Sequence, residues 1–439
     1  MSREMKDSGV ETIGAIPYDW RVIPLKYQVS CNDDVLSEST SSSYIFKYVE
    51  IGAVSLEKGI TKYKTQSFFN APSRARRIVK CEDVIISTVR TYLRAIAVID
   101  DDTDVIVSTG FAVLRPKKIV PNFLGYALKS SSFIENVISN SYGVSYPAIN
   151  SSDLVRLHIP VPSQTEQQQI VHFLDRKCTA IDTAIEKTKK SIEKLEEYKK
   201  AVITKAVTKG IDPNAKMKDS GVEWIGEIPE GMDIIRIKFI SDIFGRIGFR
   251  GYTQDDLVNE GDGAISLSPS NLKSFRMSYD KCTYISWSKY EESPEIKIEN
   301  GDILFVKTGS SYGKSCIVKD LPEKATINPQ LIVFKNIKCN NKYLFYLLQT
   351  WIVDTQTQWY VTGGTIPTMS QDKIANFYLP YYKDNYKQQQ IVHFLDRKCT
   401  AIDNAIEKKK KAIEKWEEYK KSLICYAVTG KIDCRNEVI

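Results

Sequence analysis

Gln167-Gln-Gln-Ile-Val-His-Phe-Leu-Asp-Arg-Lys-Cys-Thr-Ala-Ile-Asp182 is the stretch on which the architecture depends, because the same sixteen residues return unchanged at 388–403. The match continues to residues 212 and 433, and 36 of the 46 paired positions are identical at a constant offset of 221. A repeat of this length indicates an internally duplicated chain.

Apolar or small residues recur along the repeat at alternating steps of four and three, the spacing of a heptad seam on one helix face. No Gly or Pro occurs between residues 165 and 209, so the pattern predicts one helix about 60 Å long. Such a helix needs a packing partner, and the second copy supplies one, although two unrelated surface helices are the alternative. The predicted seam residues are Leu174, Cys178, Ile181, Ile185, Ile192, Leu195, Leu395, Cys399, Ile402, Ile406, Ile413 and Trp416.

The chain has 439 residues, a net charge of +7 and nine cysteines without a Cys-x-x-Cys pair. Residues 186–209 and 407–431 each contain eight Lys and four Glu, so the two repeats carry the excess positive charge. A basic protein often binds nucleic acid, although a Lys-rich helix is more often only solvated. Since neither a membrane span nor a signal peptide is recognisable, we expect a reduced, cytoplasmic protein without a zinc site.

A second, shorter repeat lies at the start of each half of the chain. Met-Lys-Asp-Ser-Gly-Val-Glu at 5–11 returns at 217–223, and both copies lead to an Ile-Pro pair. Between lead-in and helix lie two variable regions, 25–161 and 238–381, whose strand-like segments follow the same order. The strand-like segments are 44–49, 83–87, 95–99 and 110–114 in the first region and 302–306, 316–319 and 331–334 in the second, and helices are predicted at 122–140 and 342–355.

This order predicts two α/β (α+β) heads of one fold, joined by two long helices. The predicted divisions are 1–163 (lead-in and first head), 164–212 (first repeat helix), 213–382 (lead-in and second head) and 383–439 (second repeat helix). If both halves hold the same relation to their neighbours, a pseudo-twofold axis relates them and the helices form an antiparallel coiled coil.

Motifs for catalysis are scarce. Gly309-Ser-Ser-Tyr-Gly-Lys-Ser315 is one residue short of a phosphate-binding loop, and the segment after it is predicted as a strand, not as the helix that such a loop requires. Only three His are present, and no nucleophile–base arrangement is recognisable. We therefore predict no catalytic residue and no metal site.

The heads instead carry polar, aromatic and basic residues in turns beside strands. Arg can donate to guanine edges, Ser and Thr serve base or phosphate, and Lys neutralises phosphates, although ordinary loop polarity is the alternative. The candidate DNA contacts of the first head are Arg74, Arg76, Arg77, Lys80, Ser87, Thr88, Arg90, Arg94, Tyr142, Ser145 and Tyr146. Those of the second head are Arg246, Arg250, Lys307, Thr308, Ser310, Ser311, Tyr312, Lys314, Thr362 and Thr365.

The combined pattern resembles the specificity subunit of type I restriction-modification systems. The resemblance rests on Lys-Asp-Ser-Gly-Val-Glu-Trp-Ile-Gly-Glu-Ile-Pro at 218–229, on Pro160-Val-Pro162 leading to Glu166-Gln-Gln-Gln-Ile, and on the helix at 170–200. In the second half, Tyr382 and Lys387 replace Pro162 and Glu166.

The resemblance implies two target-recognition domains that each read one half of a bipartite double-stranded DNA site. It also implies that the helix pair sets the spacer and holds two methyltransferase (modification) subunits, and restriction subunits would complete the complex. We expect no cofactor on this chain, because S-adenosylmethionine, ATP and magnesium would lie on the partner subunits. The alternatives are a coiled-coil scaffold whose heads bind protein and a self-sufficient DNA-modifying enzyme.

Overall fold

The computed structural model describes residues 3–101, 103–143, 145–246, 251–273, 276–362 and 367–436. Inter-residue contacts divide the chain into two units, one of residues 1–189 with 410–439 and one of residues 190–409. Each unit therefore holds one head and part of both long helices. No helix in the described residues combines the length and the apolar character that a membrane span requires.

The first half of the chain runs from β1 to α4. Its strands are β1 (Met5–Asp7), β2 (Ala15–Pro17), β3 (Arg21–Pro24), β4 (Val29–Cys31), β5 (Ile45–Val49), β6 (Val54–Ser55), β7 (Gly59–Ile60), β8 (Lys64–Ser67), β9 (Ala75–Ile78), β10 (Val84–Ser87), β11 (Ile96–Val98), β12 (Val105–Ser108), β13 (Phe111–Pro116) and β14 (His158–Val161). Its helices are α1 (Pro121–Lys129), α2 (Ser131–Ser139), α3 (Ser151–Leu154) and α4 (Gln164–Lys209).

The second half runs from β15 to α9. Its strands are β15 (Met217–Asp219), β16 (Glu227–Pro229), β17 (Met232–Arg236), β18 (Asp242–Gly245), β19 (Leu257–Val258), β20 (Gly263–Leu267), β21 (Leu272–Lys273), β22 (Arg276–Met277), β23 (Thr283–Ser286), β24 (Ile303–Val306), β25 (Ser315–Ile317), β26 (Ala325–Ile327), β27 (Leu331–Lys335) and β28 (Tyr378–Tyr382). Its helices are α5 (Trp287–Glu291), α6 (Asn341–Leu347), α7 (Trp351–Tyr360), α8 (Gln371–Ala375) and α9 (Asn385–Val428).

Two four-stranded sheets form each head. In the first head the sheets have the strand orders β11-β10-β13-β4 and β8-β5-β12-β9, and in the second head β18-β27-β24-β25 and β19-β23-β20-β26. One sheet of each head is antiparallel throughout, whereas the other contains one parallel pair, β5 with β12 or β20 with β26. The heads therefore share a central fold and differ in an edge strand, β9 against β19.

The strands at the centre of each head are buried on both faces, which explains their continuous apolar sequences. In β10, Val84 and Ile86 join the cluster that includes α1 and the long helices, whereas Ile85 joins the cluster of the second sheet. Alternate side chains point to opposite faces of a strand. One strand therefore attaches its head to the helices and to the other sheet at once.

The single head helix predicted from the sequence is wrong in both heads. The segment 122–140 forms two helices, α1 and α2, because Ser130 is extended, with ψ of 146°, and its hydroxyl accepts a bond from the Phe133 amide. Thr350 between α6 and α7 is also extended, but its side chain makes no cap bond and its hydroxyl instead donates to the Leu347 carbonyl oxygen at 2.7 Å. In both heads an extended hydroxyl residue separates the two helices, and in the first head its side chain also caps the second helix.

Identical residues of the repeat attach each head to its helix. Gln167 donates from Nε2 to the Pro162 carbonyl oxygen at 3.0 Å and accepts from the Val120 amide at 2.8 Å. The Tyr126 hydroxyl donates to Asp175 at 2.6 Å. The same contacts recur in the second unit, where the residues are Gln388, Tyr382, Asn340, Tyr346 and Asp396. The heads can therefore differ in sequence while the joint stays the same.

Around these shared bonds, the two joints differ at the position of Glu166. Glu166 accepts bonds from the indole Nε1 of Trp20 at 3.0 Å and from Arg3. Lys387 takes the place of this glutamate in the second unit, and its ammonium lies over the Tyr382 ring at 5.2 Å. A buried acid is thus exchanged for a cation on an aromatic face.

The prediction that α4 and α9 pack antiparallel is confirmed within each unit. In the first unit, Asp182 of α4 bonds Lys420 of α9, and Gln169 bonds the Arg435 carbonyl oxygen. In the second unit, Lys199 of α4 bonds Asp403 of α9. The partner's number falls as the number along α4 rises, and the two aspartate–lysine pairs are equivalent by the repeat.

Burial varies along the seam. Leu174, Cys178, Ile181 and Ile185 of α4 and Leu395, Cys399, Ile402 and Ile406 of α9 are buried. Ile192, Leu195 and Ile413 are half-buried. Trp416 is 41% exposed, so its predicted place in the seam is wrong. The indole instead lies edge-on against Tyr419 on the surface of its own helix.

Candidate nucleic-acid interface

One end of the first head presents two loops joined by backbone bonds. The loop after β10, residues 88–95, meets a second segment, residues 142–143 with 145–148, through an isolated bridge between Val89 and Ala148. The Thr91 amide also donates to the Pro147 carbonyl oxygen at 3.2 Å. Inside this second segment, the Tyr142 amide and the Ala148 carbonyl oxygen lie 2.8 Å apart. We call these two segments, with their counterparts in the second head, the loop pair.

The second head builds its loop pair in the same way from residues 307–314 and from residues 362, 367 and 368. An isolated bridge joins Thr308 to Thr368, and the Gly309 amide donates to the Pro367 carbonyl oxygen at 2.9 Å. The Thr308 and Thr368 hydroxyls lie 2.7 Å apart. Because backbone atoms make the bridges, the two heads can carry different side chains on one framework.

Arginine and tyrosine dominate the first loop pair. Arg90 and Arg94 lie at the two ends of a short turn, both with left-handed backbone, φ of 52° and 51°. The Arg90 guanidinium lies over the Tyr146 ring at 5.1 Å, while Tyr142 and Ser145 are exposed beside it. A guanidinium stacked on a ring is held in place, and its edge stays free to donate hydrogen bonds.

The basic residues around β9 divide between two ends of the sheet. Arg74 lies near the loop pair, since its carbonyl oxygen accepts from the Thr109 amide, and its side chain is exposed. Arg76 is half-buried over the Phe68 ring, at 4.7 Å. Lys80 lies at the other end of β9 and pairs with Asp34 at 3.2 Å.

Arg77 differs from its neighbours on β9. Its side chain is half-buried, and its Nε has no hydrogen-bond partner within the structure. Successive strand residues point to opposite faces, so Arg76 and Arg77 cannot serve the same surface. We keep Arg74 with the loop pair and leave Arg76, Arg77 and Lys80 outside it.

Lysine and hydroxyl groups dominate the second loop pair. Lys307 is half-buried, and burial lowers the pKa of its ammonium. Ser310 and Lys314 are exposed, whereas Ser311 and Tyr312 are half-buried. The exposed Thr362 hydroxyl donates to the Thr368 carbonyl oxygen at 3.3 Å. Strand β25 begins at Ser315, directly after Lys314, so the residues after the glycine-containing loop do not form a phosphate-binding helix.

Three candidate contact residues serve the fold instead. Ser87 and Thr88 are buried, and the Thr88 hydroxyl donates to the Gly110 carbonyl oxygen at 3.0 Å. Arg246 is 3% exposed and donates to the Ile327 carbonyl oxygen and the Thr326 hydroxyl, both at 3.1 Å. We leave these three out of the interface because reaching DNA would break bonds that already satisfy them. Candidates Arg250 and Thr365 lie outside the described residues.

Sequence reasoning missed Tyr92 and the joint residues. Tyr92 lies between Arg90 and Arg94 and is 52% exposed, so an aromatic residue flanked by arginines was an available signal. Gln167 and Asp175 lie inside the identical repeat, where their polar character conflicts with a role in the apolar seam. Identity of polar positions between the copies could have marked them as joints.

Comparison with known proteins places this geometry in a family context. A family model described as type I restriction modification DNA specificity domain matches residues 35–197 and 248–415, one match to each half of the chain. Two curated relatives come from Methanocaldococcus jannaschii. The MjaVIII specificity subunit is 26% identical over 339 residues, covering 76% of this chain and 75% of that protein. The putative MjaX specificity subunit is 25% identical over 435 residues, covering 96% and 95%.

Solved structures show the same fold. A chain from a study of complex assembly and conformational transition of the type I R-M system has a TM-score of 0.73 at 19% identity, covering 95% of this chain and 99% of that one. The HsdS subunit from Thermoanaerobacter tengcongensis has a TM-score of 0.51 at 21% identity, covering 95% and 98%. At these identities the likeness concerns the fold alone.

Proposed function

Because the chain belongs to the type I restriction-modification DNA specificity family, we propose that each of its two heads reads one half of an asymmetric, bipartite DNA site. The chain is a specificity subunit, which is the non-catalytic DNA-recognition component of such a system. Its partners are accordingly DNA and the other subunits of the restriction-modification complex.

One observation carries the proposal: the two loop pairs share a backbone framework and differ in the side chains they present. In the first head the exposed groups are Arg90, Arg94 and tyrosines, and in the second they are Lys314, Ser310 and Thr362. Guanidinium and hydroxyl groups bond base edges in the major groove, and ammonium groups bond phosphates. Two different sets on one framework support two different half-sites.

Phosphate contacts supply a part of the binding that does not depend on sequence. The half-buried ammonium of Lys307 and the exposed one of Lys314 lie in the same loop, and a loop of this composition is suited to a phosphate. Each neutralised phosphate releases bound counterions, so affinity should fall steeply with salt. A DNA affinity that does not change with salt would contradict this assignment.

The helix pair, in our proposal, sets the spacer between the half-sites and docks two modification subunits. The repeats agree at exposed positions as well as in the seam, for example His172 with His393 and Thr179 with Thr400. Packing does not require identity on a solvated face, whereas binding the same partner twice does. S-adenosylmethionine, ATP and magnesium would then be held by the partner subunits and not by this chain.

The chain offers its own test, because the second head can replace the first. Residues 25–157 would be exchanged for a copy of 237–377, which keeps β3, β14 and the Gln167 joint, and Tyr346 then supplies the hydroxyl that Tyr126 gives to Asp175. Expressed with its modification partner, this chain should methylate a symmetric site made of two copies of one original half. The reciprocal exchange should give the other half twice.

Methylation would be mapped across a genome that carries the wild-type or the exchanged chain. Retention of the asymmetric site, or a change in both half-sites, would contradict independent reading by the heads. Loss of all methylation would be checked by isolating the complex, which separates a misfolded head from a misread site. The spacer length should stay the same, since neither long helix has changed.

A further inference from the structure

The first unit contains a cavity of about 580 Å³ that the DNA-reading proposal does not use. Its walls are the turn 56–58 between β6 and β7, the last turn of α1, and both long helices. Leu56, Ile185 and Ile424 give it an apolar side, and charged groups line the remainder. Its size is that of a site for a small organic molecule.

Four of the nine charged residues around this cavity form ion pairs with each other. The Lys420 ammonium bonds both oxygens of Asp182, at 2.6 and 2.7 Å, and Lys189 lies 3.7 Å from Glu186. The remaining lining charges are those of Glu57, Lys58, Glu417, Lys421 and Lys129. Five lysines against four carboxylates leave the lining with a small positive excess.

Lys129 is a lining lysine that lies on the head itself, at the end of α1. It is half-buried, and no hydrogen bond or ion pair links its ammonium to any residue that the structure describes. Burial, followed by the nearby charge of Lys420, lowers the pKa of this lysine, and the carboxylates of Glu57 and Asp182 oppose that shift only in part. An anion bound beside Lys129 and Lys420 would offset the remaining cost of holding two ammonium groups near each other in a partly buried place.

The second head supplies a natural control. By the correspondence of Tyr126 with Tyr346, the position of Lys129 is taken there by Gln349, whose amide donates to the Ser315 hydroxyl inside the head. The fold therefore accommodates a neutral, internally bonded side chain at this place. A lysine in the first head is consequently a feature of that head and not a requirement of packing.

We propose that this cavity is a binding site for a small phosphate-bearing organic molecule. The phosphate accepts hydrogen bonds from Lys129 and Lys420, where Lys420 still has a third donor after its two bonds to Asp182. The organic part lies against the apolar side formed by Leu56 and Ile424. Charge-assisted bonds in a partly desolvated site account for the affinity.

Calorimetry on the full-length chain would test the site with inorganic phosphate and AMP as probes. Both should bind, AMP more tightly because it also covers the apolar side. Lys129→Gln, which imitates Gln349, should weaken both by at least tenfold. Lys117→Gln removes an equal charge from an exposed position and should change neither. AMP binding no tighter than phosphate, no binding to the wild type, or unchanged binding to Lys129→Gln would overturn the proposal.

Lysine labelling gives a second measurement that does not depend on the variant folding. An amine-reactive probe at neutral pH should modify Lys129 of the wild-type chain, and AMP should protect this residue but not Lys117. Absence of protection would count against the site. If Lys129→Gln instead impaired assembly with the modification subunits while anion binding stayed unchanged, the cavity would belong to a partner's carboxylate and the proposal would fail. DNA reading should be unaffected by Lys129→Gln, so the two proposals fail separately.

Discussion

Truncating Lys199 to alanine should destabilise the second unit more than truncating Lys420 destabilises the first, although the repeat makes the two lysines equivalent. The Lys199 side chain is 6% exposed and its partner Asp403 is 32% exposed. The Lys420 side chain is 17% exposed and Asp182 is 52% exposed. Both ammonium groups reach both oxygens of their aspartate, so burial is the variable that differs.

The expected magnitudes follow from this difference in burial. Removing one partner of a fully buried pair costs about 3–5 kcal/mol, whereas exposed pairs contribute about 0.2–1 kcal/mol. Water can reach about a third of Asp403, so we expect a loss of about 2 kcal/mol for Lys199→Ala. For Lys420→Ala we expect about 0.5–1 kcal/mol, because Asp182 is rehydrated more completely.

Hydrogen exchange measured by mass spectrometry is the appropriate assay, since two units need not unfold in one step. A loss of about 2 kcal/mol lowers the protection of amides in 190–209 by about 30-fold. Double-mutant cycles with Asp403→Ala and Asp182→Ala separate the energy of each ion pair from the packing energy lost with the methylene groups of the lysine. Coupling near zero for Lys199 with Asp403, or equal losses in both units, would refute the reasoning.

Three further outcomes follow from the proposed interface and helix pair. Arg90→Ala should weaken binding of the cognate DNA by about 1–3 kcal/mol and relax specificity in one half-site only. Competition with single-base variants of the site would measure this effect, and Tyr146→Ala should have a smaller effect of the same kind. An equal loss of affinity for all sequences would show that Arg90 contacts a phosphate instead. Because burial lowers the pKa of Lys307, its ammonium loses its proton at lower pH than that of an ordinary lysine. DNA affinity should therefore decline as pH rises towards that range, and Lys307→Arg should abolish the decline. Identical pH profiles of DNA affinity for the wild type and Lys307→Arg would contradict the contact. Inserting one heptad after Ile192 and one after Ile413 keeps the seam and lengthens the helix pair by about 10 Å. This change should lengthen the spacer between the methylated half-sites by about three base pairs. A changed half-site with an unchanged spacer would show that the helix pair does not set the spacer length.

The helices were the most predictable part of the molecule. A seam that recurs at steps of four and three over many turns specifies a long helix whatever surrounds it, and α4 and α9 followed that pattern. Its exceptions were local. Trp416 lies outside the seam although its spacing predicts a seam position. Lys199 occupies a seam position and is buried there because its ammonium bonds Asp403. The spacing of apolar residues predicts the average burial of a helix position. The burial of one particular side chain also depends on the residue that packs against it.

The heads were predictable as strands but not as sheets. Apolar segments such as β10 and β24 could be located in the sequence, and their order showed that the heads share a fold. The break at Ser130 depended on one cap, and the joining of the 88–95 loop to residues 142–143 and 145–148 depended on backbone bonds between distant segments. The burial of Arg246 also depends on bonds to a segment distant in sequence. From the sequence alone, a basic residue beside a strand is predicted to lie on the surface, because its hydrogen-bond acceptors are not known.

Duplication, helix length and the absence of recognisable catalytic motifs were properties of the linear chain, because repeat identity and heptad spacing are carried by neighbours along it. Which basic residues share a surface, which two lysines lie near each other in a cavity and which of two equivalent ion pairs is buried depended on the folded arrangement. The physical reason is that hydration and Coulomb energy are set by distances through space, and segments far apart in sequence determine those distances.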